Sequence, residues 1–210
     1  MSRSIKLRFV VLLGMATMLA SSIAQAAEPC CTVPDNLGTA DLPPMGCMYQ
    51  SYSEPWEITD RLPIGTTIEM DVTLKDFVCC GGNCPLCSVF QFPGDCESRG
   101  GTLAGHAECF DSTVKLEIRG TGTLAGFKRT LSVSVFCEVH TGPRTPGEAV
   151  QTFAAEMYRM QGELFGDPDF CTFRLRAGQA LGLPSPGETM LTKLPSGDFA
   201  VDSFFDITYE

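Results

Sequence analysis

Few side chains in this sequence are suited to chemistry. It contains two histidines, His106 and His140, and Glu138 lies two residues before the second. Residues two apart in a strand point to the same face, so Glu138 and His140 are predicted to lie side by side. Such a pair could polarise a water molecule, or bind a metal together with a third ligand. We favour a simpler interpretation, in which both residues lie on a solvated strand end that runs into a turn at 141–143.

Acidic residues on predicted loops form a second candidate site. Calcium prefers oxygen ligands, which loops supply readily, and Asp167, Asp169, Asp198 and Asp202 lie in or beside such loops. Asp-Pro-Asp at 167–169 is also good turn chemistry, and we favour that interpretation. We therefore expect no cofactor, with calcium as the alternative, and the candidate metal ligands are Asp167, Asp169, Glu138 and His140.

The first 26 residues have the three-part layout of a secretory signal peptide. A basic start precedes an apolar run of twelve residues over 9–20, and Ala24-Gln25-Ala26 supplies the small residues of a cleavage site. A membrane span takes about 20 apolar residues. We therefore expect a secreted, periplasmic or cell-surface protein with no membrane span. Cleavage after Ala26 removes three basic residues and no acidic ones, which takes the net charge from −10 to −13.

This acidity argues against nucleic acid as a partner. A nucleic-acid binder needs a basic face to displace counterions from phosphate, and the densest basic group is only Arg174 with Arg176. The expected partner is an extracellular protein or glycan.

Cysteine is abundant, and an exported chain meets an oxidising environment in which disulfides persist. The segments 30–47 and 79–109 are predicted to be disulfide-stapled loops, and an odd count leaves one thiol unpaired. Cys137 and Cys171 lie in alternating runs and are predicted to face inward, either bridged or as buried thiols. The eleven disulfide candidates are Cys30, Cys31, Cys47, Cys79, Cys80, Cys84, Cys87, Cys96, Cys109, Cys137 and Cys171.

The spacing of Cys84 and Cys87 allows two other functions. A Cys-x-x-Cys pair can exchange thiol and disulfide, or supply half of a zinc site. Cys79, Cys96 or His106 could complete such a site. Export favours structural disulfides over both.

Strict alternation of apolar and polar residues predicts half-buried strands. Glycine- and proline-rich turns separate the runs. The fold is therefore predicted to be all-β, an antiparallel β-sandwich or barrel-like domain with disulfide-stapled loops. The runs are Ile68–Lys75, Val114–Arg119, Leu131–Val139, Cys171–Arg176 and Phe205–Tyr209.

Three regions follow from these patterns: a signal peptide over 1–26, a Cys- and Pro-rich segment over 27–63, and the β domain over 64–210. The last strand has no closing turn, so we expect the natural chain to extend further. One stretch, 148–164, fits both a helical face and a strand. We favour irregular chain to about residue 156, followed by a strand.

The remaining motifs indicate no enzyme. There is no nucleophile elbow, paired-histidine zinc helix or phosphate loop. Trp56 with Tyr49 and Tyr52 could form an aromatic platform for a sugar, although a single tryptophan more often closes the edge of a core. We expect a non-catalytic structural or interaction module of the envelope or extracellular matrix. The alternative is a calcium- or zinc-dependent extracellular hydrolase.

Several phrases resemble a family of exported bacterial proteins, found mainly in planctomycetes, to which no activity is attached. The likeness covers residues 64–210 and implies no site. In relatives the chain continues with a further cysteine, which would account for the odd thiol. The phrases lie at 122–127, 138–144, 164–171, 183–187 and 194–209.

Overall fold

A computed structural model describes residues 3–8, 31–51, 55–79 and 101–210, with only the backbone of 3–8 and no side chain for Cys79. The described residues form thirteen strands and two short 3₁₀ turns, Gly122–Leu124 and Gln179–Leu181. The all-β prediction is therefore confirmed. The strands are β1 Arg3–Arg8, β2 Thr32–Val33, β3 Asp35–Asn36, β4 Thr39–Ala40, β5 Tyr49–Ser51, β6 Trp56–Ile58, β7 Ile68–Cys79, β8 Ala107–Gly120, β9 Lys128–Thr141, β10 Val150–Phe165, β11 Thr172–Ala177, β12 Pro186–Lys193 and β13 Phe199–Tyr209.

The main sheet closes into a small barrel with outer strands, which is the barrel-like form of the prediction. Strands β7, β8, β9 and β10 form an antiparallel meander. Beyond β10 the order is β11 and then β13, while β12 pairs with both β10 and β13. On the far side, β13 pairs with β1, β1 with β5, and β5 with β7. Among the described residues, no helix has the length and apolar character needed to cross a bilayer.

Side-chain alternation explains the central hairpins. In β8 and β9, Val114, Leu116, Val133 and Val135 are completely buried, and Val114 lies opposite Val133. Residues of period two place one apolar face inside the barrel. The connection between the two strands is the glycine-rich turn expected from the sequence, and it contains Gly122 at φ +58°.

The strand predicted after about residue 156 is confirmed, but the irregular chain predicted before it was wrong, because β10 is a continuous strand from Val150. Burial alternates through Phe153, Ala155 and Met157, and the pairing with β9 then shifts between Met157 and Arg159. After this bulge, Met160 is the next buried residue. A bulge inserts one extra residue and inverts the alternation. Because of this shift, the spacing of the apolar residues along 148–164 resembles that of a helix as well as that of a strand.

Residues 31–47 of the Cys- and Pro-rich segment pack on the barrel at the Phe199 end of β13. Cys31 and Cys47 form a disulfide across 16 residues, and a loop of this size gains about 3 kcal/mol from such a bridge. Cys31 belongs to a second core cluster with Phe153 and Phe199. Since β2 pairs with β13 and both β5 and β6 pair with β7, the segment is part of the sheet.

Buried polar groups hold this segment in place. The Arg144 guanidinium donates to the Ala40 carbonyl at 2.7 Å and pairs with Glu108. The Gln151 amide, 1% exposed, donates to the Gly38 carbonyl at 2.7 Å. A side chain at Gly38 would collide with the backbone, because its Cβ would lie 2.6 Å from the Gly147 nitrogen. The Gly38 carbonyl also accepts from the Gly147 backbone N–H at 2.8 Å, so this turn is bound by both a side chain and the backbone.

The first strand falls inside the predicted signal peptide. Its residues pair in register with the end of β13, from Arg3 opposite Tyr209 to Arg8 opposite Phe204. Cleavage after Ala26 would remove this strand and open that edge of β13. The predicted cleavage and the pairing of β1 with β13 therefore cannot occur in the same form of the chain.

Amide hydrogen exchange distinguishes the two forms. In a chain that starts at residue 27, we expect the amides of Phe205, Ile207 and Tyr209 to exchange faster than in a precursor whose cleavage site is blocked, because their N–H groups point toward β1. The Thr208 N–H points the other way and donates to the Ser185 hydroxyl at 3.2 Å in both forms. Residues 114–118 of β8, which pair on both sides in either form, are the internal control. Equal rates at 205, 207 and 209 in both forms would contradict the pairing with β1.

Candidate functional site

Glu138 and His140 share one face of β9, as predicted. The Nε2 atom of His140 lies 3.2 Å from Oε1 of Glu138. The expected solvent exposure was wrong, since Glu138 is 2% and His140 3% exposed. Both face away from the main barrel core, whose lining residues on β9 are Leu131, Val133, Val135, Cys137 and Val139. The outer face of β9 is therefore covered at this point.

Two elements cover the pair. The neighbouring strand β10 places Glu156 directly opposite His140, and the Tyr158 ring stacks on the imidazole with centroids 4.0 Å apart. The loop before β8 contributes Thr102. Gly101 allows this close approach, because a Cβ there would lie 2.6 Å from the His106 carbonyl oxygen and 3.4 Å from Cβ of His140.

The hydrogen bonds fix the tautomer of His140. The backbone N–H of Thr102 donates to Nδ1 at 3.2 Å. A backbone N–H can only donate, so Nδ1 accepts and the ring proton lies on Nε2, from which it is donated to Glu138. The Thr102 hydroxyl, 2.8 Å from Nδ1, donates to the Glu156 carboxylate. Every nitrogen of the ring thus has a partner within the protein, and the cluster resembles a structural network more than a site poised for substrate.

The loop carboxylates lie elsewhere and are held by an arginine. Arg129, at the start of β9, pairs with both Asp167 and Asp169 in the β10–β11 turn. Asp167 also accepts hydrogen bonds from the backbone N–H groups of Asp169 and Phe170, at 2.9 and 3.1 Å. This is the turn chemistry that the sequence favoured. A guanidinium bound to both carboxylates occupies the position that a cation would need.

The other acidic candidates are separate again. The Ser196 hydroxyl donates to Asp198 at 3.1 Å within the β12–β13 turn. Asp202 lies exposed on β13, and His106 is exposed in the loop before β8. Within the described part of the chain, no three His, Cys, Asp or Glu side chains come together as a metal site.

The cysteines divide into bridged and free. Besides the Cys31–Cys47 bridge, Cys109 is disulfide-bonded. Cys137 is a buried thiol, as one alternative predicted, whereas the inward position predicted for Cys171 was wrong, because Cys171 is exposed and precedes β11. The redox or zinc hypothesis for Cys84 and Cys87 lies outside the described residues, as do Cys30, Cys80 and Cys96.

The aromatic platform is not present as predicted. Trp56 is 1% exposed and stacks on Tyr209, with ring centroids 4.0 Å apart. Tyr49 lies in the same core, and burial raises the pKa of its hydroxyl. Tyr52 lies outside the described residues. Trp56 therefore closes the edge of a core, which was the other interpretation offered by the sequence.

A cleft that the sequence did not indicate opens beside this stacked pair. It has a volume of about 320 Å³, which lies at the lower end of the range for small-molecule sites. Residues from β6, β7, β8, β11 and β13 line it. Because they are distant in the sequence, only the closed sheet brings them together.

Comparison of the chain with protein families, with curated proteins and with solved structures gave no match.

The buried His140 network predicts a large loss of stability on truncation. His140→Ala removes the hydrogen-bond donor to the buried Glu138 carboxylate and the ring that stacks on Tyr158, so we expect unfolding to be easier by about 2–4 kcal/mol in urea titration. Glu117→Ala, which removes only an exposed partner of Lys115, should change stability by less than about 0.5 kcal/mol. Similar losses in both variants would show that the network does not stabilise the fold.

The two free thiols should differ in reactivity. Burial raises the pKa of the Cys137 thiol, whereas Cys171 is exposed. In native protein we expect iodoacetamide to modify Cys171 and to reach Cys137 only after unfolding, because the thiolate is the reactive form. Peptide mass analysis with and without denaturant measures both sites. Equal labelling of both thiols in native protein would contradict this.

Proposed function

We propose that this protein is an exported, non-catalytic interaction module that works outside the cytoplasm, at the envelope or in the extracellular matrix. The Cys31–Cys47 disulfide supports export, because such bridges persist in oxidising compartments. The signal-peptide pattern at 1–26 supports it independently.

One observation carries the non-catalytic part. The cluster most able to transfer a proton, Glu138 with His140, is buried, and both ring nitrogens of His140 are engaged, Nε2 by Glu138 and Nδ1 by the Thr102 backbone. A general base must reach the proton that it abstracts, directly or through one water. His140 instead donates its one ring proton to Glu138, and its free lone pair accepts from the backbone. His140 thus has a structural role, because it links β9 to Glu156 and Tyr158 on β10.

The alternative, a calcium- or zinc-dependent hydrolase, receives less support from the geometry. Its candidate ligands separate into two groups. Glu138 contacts His140, which also contacts Thr102 and Glu156, while Asp167 and Asp169 contact Arg129. The arginine neutralises the two carboxylates and competes with any cation for their oxygens.

Thermal unfolding with and without metal separates the two functions. We expect the melting temperature of the mature protein to be unchanged by a chelator or by millimolar calcium, since a ligand that binds only the native state would raise it. Arg129→Ala is the matched variant, because it frees both carboxylates. A calcium-dependent rise in the wild type would contradict the non-catalytic proposal, whereas a rise in the variant alone supports competition by Arg129.

The binding role needs a separate test. Immobilised mature protein should retain a saturable component from envelope proteins and glycans, and the reduced, alkylated and unfolded protein is the control. No difference in retention between the folded and unfolded protein would contradict an interaction module.

A further inference from the structure

We propose that the cleft beside Trp56 binds a small organic cation, a molecule with an apolar body and an ammonium head. This inference rests on the proposed binding role, and names a site and a ligand class for it. The cleft lies at the end of β13 where Tyr209 is located, whereas the segment closed by the Cys31–Cys47 bridge contacts Phe199 at the strand's other end. The disulfide-closed segment and the cleft therefore lie at opposite ends of β13.

The floor of the cleft is apolar and rigid. Met70, Leu116 and Leu175 are each 3% exposed or less, and they meet the stacked Trp56 and Tyr209 rings there. Tyr209 is fixed in turn, because its hydroxyl accepts from the Glu57 backbone N–H at 3.1 Å. Because these floor side chains are already ordered, binding of a ligand here costs little side-chain entropy.

Half-buried side chains form the walls above this floor. Ile58 on β6 and Phe173 on β11 both line the cleft and pack against the main core. Phe173 also makes an edge contact with Phe170, with ring centroids 5.9 Å apart. An apolar body would gain contact area with both Ile58 and Phe173 while leaving a polar head at the rim.

The charges at the rim favour a cation. The lining includes the carboxylates of Glu57, Asp60 and Glu210 against the single guanidinium of Arg174. Arg174 already pairs with Glu163 at 2.7 Å, and Glu210 pairs with Arg176. Asp60 is exposed and makes no ion pair with any described residue.

The Asp60 carboxylate is therefore available to form an ion pair with an ammonium head. Aromatic rings in the lining of the cleft also attract a cation. The same carboxylates repel an anion of equal size and shape.

A matched trio of ligands tests the site: octylammonium, 1-octanol and octanoate share one apolar chain and differ only in the head. Trp56 is the only tryptophan of the chain, so its fluorescence reports on this cleft alone. We expect a saturable change in emission of the mature protein, with octylammonium binding about 5-fold more tightly than octanol and octanoate more weakly than both. Equal binding of all three, or no saturable change with any of them, would overturn the proposal.

Charge reversal at the rim makes the test specific. In Asp60→Lys we expect octylammonium to bind roughly 10-fold more weakly and octanoate more tightly, with octanol unchanged. Glu148→Lys reverses an exposed charge that is not part of the cleft, and should leave the order of the trio intact. An identical response of both variants would mean that overall charge, and not Asp60, sets the preference.

Removal of a wall locates the apolar body. Phe173→Ala should weaken all three ligands by roughly 10-fold, because contact area is lost whatever the head. Phe165→Ala, on an exposed phenylalanine at the end of β10, is the control. Unchanged binding in Phe173→Ala would overturn the assignment of the cleft. If the immobilised protein still retains an envelope component in that case, the interaction module stands and only its ligand is wrong.

Discussion

The bulge in β10 is the constraint on which the rest of the molecule depends. Before it, Ala155 and Met157 face the barrel interior, and after it Met160 does so. The strand can therefore pair with β9 along one edge, and with β12 and then β11 along the other. A bulge also increases the local twist. The sheet can thus curve and close while both halves of one long strand keep their apolar side chains inside.

Closure of the sheet determines what each surface can do. On the outer face of β9 and β10, the bulge leaves Glu156 opposite His140, so the polar side chains bond to one another under the loop that carries Thr102. At the end near Tyr209, strands distant in the sequence converge and leave a cleft. Glu138 and His140, the candidate site in the sequence, are therefore buried. The cleft that is open to solvent is lined by residues for which the sequence predicts no site.

The strands and their turns could be predicted because they depend on local patterns. Ile68–Lys75 and Leu131–Val139 alternate along the chain, and each lies within an observed strand. Adjacency of Glu138 and His140 also follows from period two. Their burial cannot be predicted in this way, because it depends on contacts from Gly101 and Tyr158, which lie on other elements of the fold. The strand at Val150 was missed for a physical reason, since a bulge breaks the alternation that identifies a strand. The stacking of Trp56 on Tyr209 joins residues from opposite ends of the described domain, and no local pattern could reveal it.

Hydrogen exchange at the Cε1 position of histidine tests the closed cluster most directly, because the chain has two histidines that serve as a matched pair. His106 is exposed, and His140 is buried between Glu138 and Glu156. Mass spectrometry of native protein in deuterated buffer measures both rates in one sample. We predict ordinary imidazole exchange at His106 and many-fold slower exchange at His140. Equal rates at the two histidines would contradict the account, because the Glu138–His140 pair would then be open to solvent and available for catalysis.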